Sequence, residues 1–336
     1  MVKISVNDRL YLSWLYGSLI FIFTTIIIGG LTRLTQSGLS MTEWQLLNIL
    51  PPISYQEWMI EFNKYKTSPE FLIINNSMSL DEFKQIFWLE YIHRIIARLV
   101  GLVIIIPCWY FYFKGKFKNI FQPILYSLLV IAQGVIGWYM VKSGLKNDPH
   151  VSHYRLAIHL LGATTLYSLI IWNLFDSFKL SPSKITSLNS LKNLLIVFSS
   201  LMFWQIFLGA FVAGLKGGLV YNSFPLMNGY VIPPEITELD FATIFNDAVG
   251  VQFLHRITAY IISLLAIIII IRLLNKKEYM LALMLFSLVF AQMLLGVLTL
   301  LSFISLDYAI LHQGVSILLL SLVLMLTKFS INQQPH

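Results

Sequence analysis

Residues 90–101 read EYIHRIIARLVG and residues 252–263 read QFLHRITAYIIS. His93 and Arg94 recur as His255 and Arg256, but Glu90 is replaced by Gln252. A second histidine follows in each half, His159 in LAIHLLGATTLY and His312 in AILHQGVSILLL. Neutral imidazole ligates transition metals and haem iron. Two imidazoles from facing helices can clamp a planar haem, one on each face. Zinc is a poorer match, because it wants three or four ligands and no cysteine or second local histidine stands nearby. Glu90 lies three residues before His93, on the same helical face. A carboxylate can transfer protons or stabilise developing positive charge, whereas an amide can only hydrogen-bond. The half with Glu90 is therefore the expected seat of chemistry, and the half with Gln252 is suited to holding a redox centre. Arg94 and Arg256 could pair with haem propionates or snorkel to lipid headgroups.

The elements that must position these residues are apolar spans. Of 336 residues, 57% are hydrophobic and 12% charged, and the mean hydropathy is +0.75. That composition excludes a water-soluble domain and points to an all-α polytopic membrane protein. Eight spans are expected near 10–31, 90–113, 121–141, 155–175, 192–214, 250–272, 279–301 and 308–327, each long enough to cross a bilayer. The amino-terminal run is about 20 residues long and lacks a small-x-small cleavage site, so it is expected to stay as the first span. The single cysteine, Cys108, lies in an apolar run and is expected to pack.

The net charge of +7 sits in short loops, which sets topology and excludes a nucleic-acid partner. Lys3 and Arg9 precede span one; Lys114, Lys116 and Lys118 follow span two; Lys179, Lys184 and Lys192 follow span four; Arg272, Lys276 and Lys277 follow span six; Lys328 follows span eight. The positive-inside rule makes these segments and both termini cytoplasmic. The long loops 32–89 and 215–249 then face outward, the first with short surface helices, the second broken by Pro233 and Pro234. Gln133 and Gly137 of span three recur as Gln292 and Gly296 of span seven. The halves, 1–178 and 179–336, are expected to be parallel repeats forming two four-helix bundles. His93, His159, His255 and His312 are expected in the first turns of the even-numbered spans, near the outer surface. His150, His153 and His336 read as solvated loop or tail, with a contact role open for His153.

The motifs resemble the haem A synthase family over essentially the whole chain. They are GGLTRLTQSGLSMTEW, EYIHRIIARLVG, GAFVAGLKGGLVYNSFPLMNG, QFLHRITAY and LHQG. The absence of paired loop cysteines makes the chain similar to the cysteine-free proteobacterial and mitochondrial type. The resemblance implies oxidation of the C8 methyl of haem O to a formyl group by successive hydroxylation. It implies a haem b cofactor on His255 and His312, and substrate haem beside His93 and His159. The family's Glu-x-x-His motif falls on Glu90 and His93. Haem O synthase as donor, oxidase assembly factors as partners, lipid contact and a bacterial inner-membrane location follow, with room for a homo-oligomer. Three other classes compete. A di-iron oxidase would need a second Glu-x-x-His motif, which Gln252 breaks. A bis-histidine electron carrier or haem-delivery protein would not need Glu90. A transporter would need paired broken helices, which are missing.

Overall fold

The computed structural model describes residues 6–44, 50–145, 151–178 and 188–331. His150, His336, Lys3, Lys179 and Lys184 lie outside the described residues. Among these, eight helices are long and apolar enough to cross a membrane. They are α1 (Val6–Leu34), α4 (Leu80–Phe113), α5 (Phe121–Gly144), α6 (His153–Phe175), α7 (Lys192–Gly214), α8 (Ala248–Asn275), α9 (Tyr279–Leu301) and α10 (Leu306–Ile331). Two short helices, α2 (Tyr55–Lys66) and α3 (Pro69–Ile73), precede α4. In hydrocarbon every backbone polar group must be satisfied within the segment, and the long apolar runs meet that demand by becoming helices.

One expectation needs correction. Span two was expected at 90–113, but α4 begins at Leu80. Ser79 caps it, with the Glu82 carboxylate returning to the Ser79 backbone, a capping box that starts the helix in polar sequence. His93 therefore lies about three and a half turns into its helix, beyond the first turns, whereas His159, His255 and His312 lie within about the first two turns of theirs. The extra turns of α4 carry Phe83 and Phe87, which join Trp58, Phe62 and Tyr65 of α2 in a buried aromatic cluster. The expected short surface helices of the first long loop are thus α2 and α3, docked on the extended start of α4.

By their contacts the residues fall into two compact units, Met1–Leu166 and Tyr167–His336. That border runs through α6; the division at 178/179 counts whole helices and stays a proposal. In the first unit α1 packs on α4, and α4 on α5. The α1–α4 pair is antiparallel, with the Trp14 indole of α1 donating to the Val103 carbonyl of α4 at 2.8 Å. Lys116, just past α4, pairs with Asp8 at the start of α1. In the second unit α7, α8, α9 and α10 pack in sequence, and α10 returns to α7. Hydroxyls join these helices, as expected in an apolar medium. Thr327 Oγ1 lies 2.9 Å from Ser199 Oγ and donates to the Leu195 carbonyl at 3.2 Å.

Candidate functional site

Each of the four histidines lies against a glycine of the preceding membrane helix. A Cβ on Gly29 would stand 3.1 Å from His93 Nε2, and one on Gly296 only 2.9 Å from His312 Cε1. Gly137 meets His159 and Gly209 meets His255 at 3.5 and 3.4 Å on the same measure. A side chain at 29 or 296 would press on the imidazole, so those positions demand glycine for space.

In the second unit the rings of His255 and His312 are 6.5 Å apart between centres and steeply inclined. A metal–imidazole bond of ~2.0 Å and ~1.1 Å from nitrogen to ring centre, taken twice, span about 6.2 Å. The pair thus has the separation of two imidazoles flanking one haem iron. His312 Nδ1 lies 3.1 Å from the Gln292 carbonyl. A carbonyl only accepts, so Nδ1 carries the proton and Nε2 keeps its lone pair, the arrangement that orients a ligating histidine. In the first unit His93 and His159 are close enough to interact electrostatically. Among the described residues no cluster of three or more His, Cys, Asp or Glu side chains could hold a metal ion. Paired imidazoles between apolar helices suit haem, and do not suit zinc.

The position that differs between the repeats is built on a shared frame. Arg94 donates to the Met41 and Glu43 carbonyls, both at 2.9 Å. Arg256 donates to the Tyr221 and Ser223 carbonyls, also both at 2.9 Å. In each half the arginine after the histidine ties the loop that follows an odd-numbered span. On that frame Glu90 and Gln252 behave differently. Gln252 Nε2 donates to the Tyr221 carbonyl at 3.0 Å. Glu90 accepts three bonds, from Ser40 Oγ at 2.7 Å, the Met41 N–H at 2.8 Å and Arg94 Nη2 at 2.5 Å. Glu90 is 2% exposed. Its carboxylate oxygens thus face three fixed donors, one of them a guanidinium. It pairs with Arg94, and it does not cap α4. Arg256 Nη1 is buried with no hydrogen-bond partner, whereas the Nη atoms of Arg94 are engaged by Glu90 and the loop. His153 opens α6.

Ser40 and Met41 were not singled out in the sequence beyond the motif containing them, although SGLSMTEW places small and polar residues directly after a span. Gln205 and Gly209 were also passed over. Their signal is the spacing Gln-x-x-x-Gly, which occurs at 133/137, 205/209 and 292/296.

Residues 12–324 match the family model of cytochrome oxidase assembly proteins. The chain belongs to that family. It is 47% identical over 326 residues to the heme A synthase of Rickettsia bellii strain OSU 85-389, covering 93% of this chain and 95% of that protein. It is 43% identical over 334 residues to heme A synthase of Rickettsia africae, covering 95% and 97%. The heme A synthase of Rickettsia felis is also 43% identical over 334 residues, with the same coverage. The matched region takes in both histidine pairs, both arginines and Glu90, so the repeat described above lies within what the family shares in length.

Proposed function

We propose that this membrane protein is a haem A synthase, an oxidoreductase that acts on a CH or CH2 group. It converts the C8 methyl of haem O to the formyl group of haem A by successive hydroxylation. Two things support this: the name carried by relatives matched over nearly the whole chain, and a site chemistry that suits haem. The observation that carries the division of labour is the buried carboxylate of Glu90 at a position where the other repeat has an amide.

In this scheme His255 and His312 hold haem b, which supplies electron transfer when bound. His93 and His159 receive the substrate haem. Glu90 is the catalytic residue. Its carboxylate is fixed by Ser40, Met41 and Arg94, so negative charge is in place before positive charge builds at the methyl carbon. The same oxygens can accept the proton that water releases on attack. Arg94 positions Glu90 and holds the loop over the site. Arg256, with its unpartnered Nη1, is the better propionate contact of the two arginines. The protein lies in the bacterial inner membrane with both termini cytoplasmic and its histidine pairs toward the outer face. Haem O synthase is the donor, cytochrome oxidase assembly factors are partners downstream, and a homo-oligomer is compatible.

Pigment extraction with mass analysis tests the activity. The purified protein, made with haem O supplied, is expected to carry haem b together with haem A or its hydroxylated precursor. Haem b alone, with haem O left unchanged, would instead identify a bis-histidine electron carrier.

A further inference from the structure

The cap built by α2, α3 and the start of α4 contains a titratable group that the scheme above does not use. Among the described residues two carboxylates are buried, Glu70 at 4% exposure and Glu90 at 2%, and both lie in the first unit. Glu70 stands in α3 and is approached from three sides. From α2 the Tyr65 hydroxyl donates to Glu70 Oε2 at 3.1 Å, and Asn75, partly exposed just past α3, donates to that hydroxyl at 2.8 Å. Burial holds the Tyr65 phenol well above its usual range, so it stays protonated and acts as a fixed donor. From α1 the Arg33 charge reaches Glu70, and from α4 the Glu90 charge acts on both Glu70 and Tyr65. The second repeat has neither member of this carboxylate pair. Gln252 is an amide, and the tyrosine of the following loop, Tyr221, donates at 2.8 and 2.9 Å to Glu235, which is exposed.

We infer that Glu70 is a proton relay, taking from Glu90 the proton that Glu90 accepts during turnover and handing it to water at the edge of the cap. The inference rests on the proposal that Glu90 is the base of a haem A synthase; Glu70 acts through Glu90 and does not touch the substrate. The step moves one proton and no electrons. Protonated Glu90 and ionised Glu70 become ionised Glu90 and protonated Glu70. Glu70 then gives its proton to water and is ionised again. Two buried carboxylates that act on each other's charge share protons more readily than both ionise. Burial pushes the Glu70 carboxyl up to about 7, where a group both takes and releases protons at neutral pH. Glu90 faces it from the site, and the Tyr65–Asn75 chain leads from it to solvent. Relay requires an ionised Glu70, so turnover falls as pH drops through about 7.

The test pairs an infrared titration, which needs no haem, with a pH profile. Difference spectra between the native chain and Glu70→Gln, taken across pH, isolate the Glu70 carboxyl. Its midpoint is expected near 7 and is expected to fall in Glu90→Gln, because the Glu90 charge holds it up. An unmoved midpoint would overturn the inference. Conversion of supplied haem O by the native chain is expected to rise about tenfold from about pH 6 to about pH 8, the change in ionised fraction of one group with a midpoint of about 7. Glu70→Gln is expected to convert haem O at least about tenfold more slowly at about pH 8 and without that rise, while its low-spin haem spectrum stays native. Glu70→Asp is expected to restore the rise. A purely structural Glu70 would leave the rise in place, so a native rise or native rates in Glu70→Gln would overturn the relay alone. A native chain that leaves haem O unchanged at every pH would instead refute the haem A synthase activity itself.

Discussion

Gly296 leaves so little room beside His312 that a single methyl group is a sensitive probe of the site. In Gly296→Ala the new Cβ would sit 2.9 Å from the ring, so the His312 imidazole must shift relative to His255. The low-spin spectrum of the second unit should weaken or shift while membrane insertion and helix content stay native. An unchanged spectrum would mean that His312 is not a ligand. Glu90 needs a different kind of substitution. Removing one partner of a buried ion pair leaves the other charge uncompensated and costs about 3–5 kcal/mol, so Glu90→Ala would mix folding with chemistry. Glu90→Gln is gentler, because the chain already contains that arrangement: Gln252 beside Arg256, on the same pattern of loop carbonyls.

At the level of elements, the cap made by α2, α3 and the start of α4 is held by aromatic burial, and it contains one costly group. Phe83 stacks on both Phe62 and Tyr65 at 5.1 Å. Beneath them Glu70 is 4% exposed and accepts from the Tyr65 hydroxyl at 3.1 Å. Burial pushes the Glu70 carboxyl up to about 7; the Tyr65 hydroxyl and the Arg33 charge pull it down, and the Glu90 charge pushes it further up. The folded cap therefore keeps a proton that the unfolded chain has already released, so cap stability falls as pH rises from about 4.5 to about 7 and then levels off. Glu70→Gln should remove that slope. Hydrogen exchange of the α2 amides, compared between variant and native chain at each pH, is the check. Little difference is expected at pH 4.5, and greater protection of the variant at pH 8. Equal protection at pH 8 would mean that Glu70 is not paying a burial cost.

Across the whole molecule, the eight spans were legible in the sequence because lipid imposes both length and apolarity on anything that crosses it. The histidines, the arginines and Glu90 were legible because the repeat displays each one against a twin. Where α4 begins was not, because a capping box starts that helix in polar sequence outside the apolar run that marks the span. The hold on Glu90 by Ser40 and Met41 was not legible either, since it joins residues some fifty positions apart through a loop without periodicity. Orientation can be checked directly: a reporter fused after Lys118 should read as cytoplasmic and one near Asn228 as periplasmic, and the reverse pattern would overturn the topology. The central claim is that one carboxylate separates a catalytic half from a cofactor-holding half. It is tested most directly by quantifying the pigments of purified Glu90→Gln made with haem O supplied. Haem b is expected at the native ratio to protein, with haem O accumulating and haem A reduced by orders of magnitude. Haem A at the native level in that variant would contradict it.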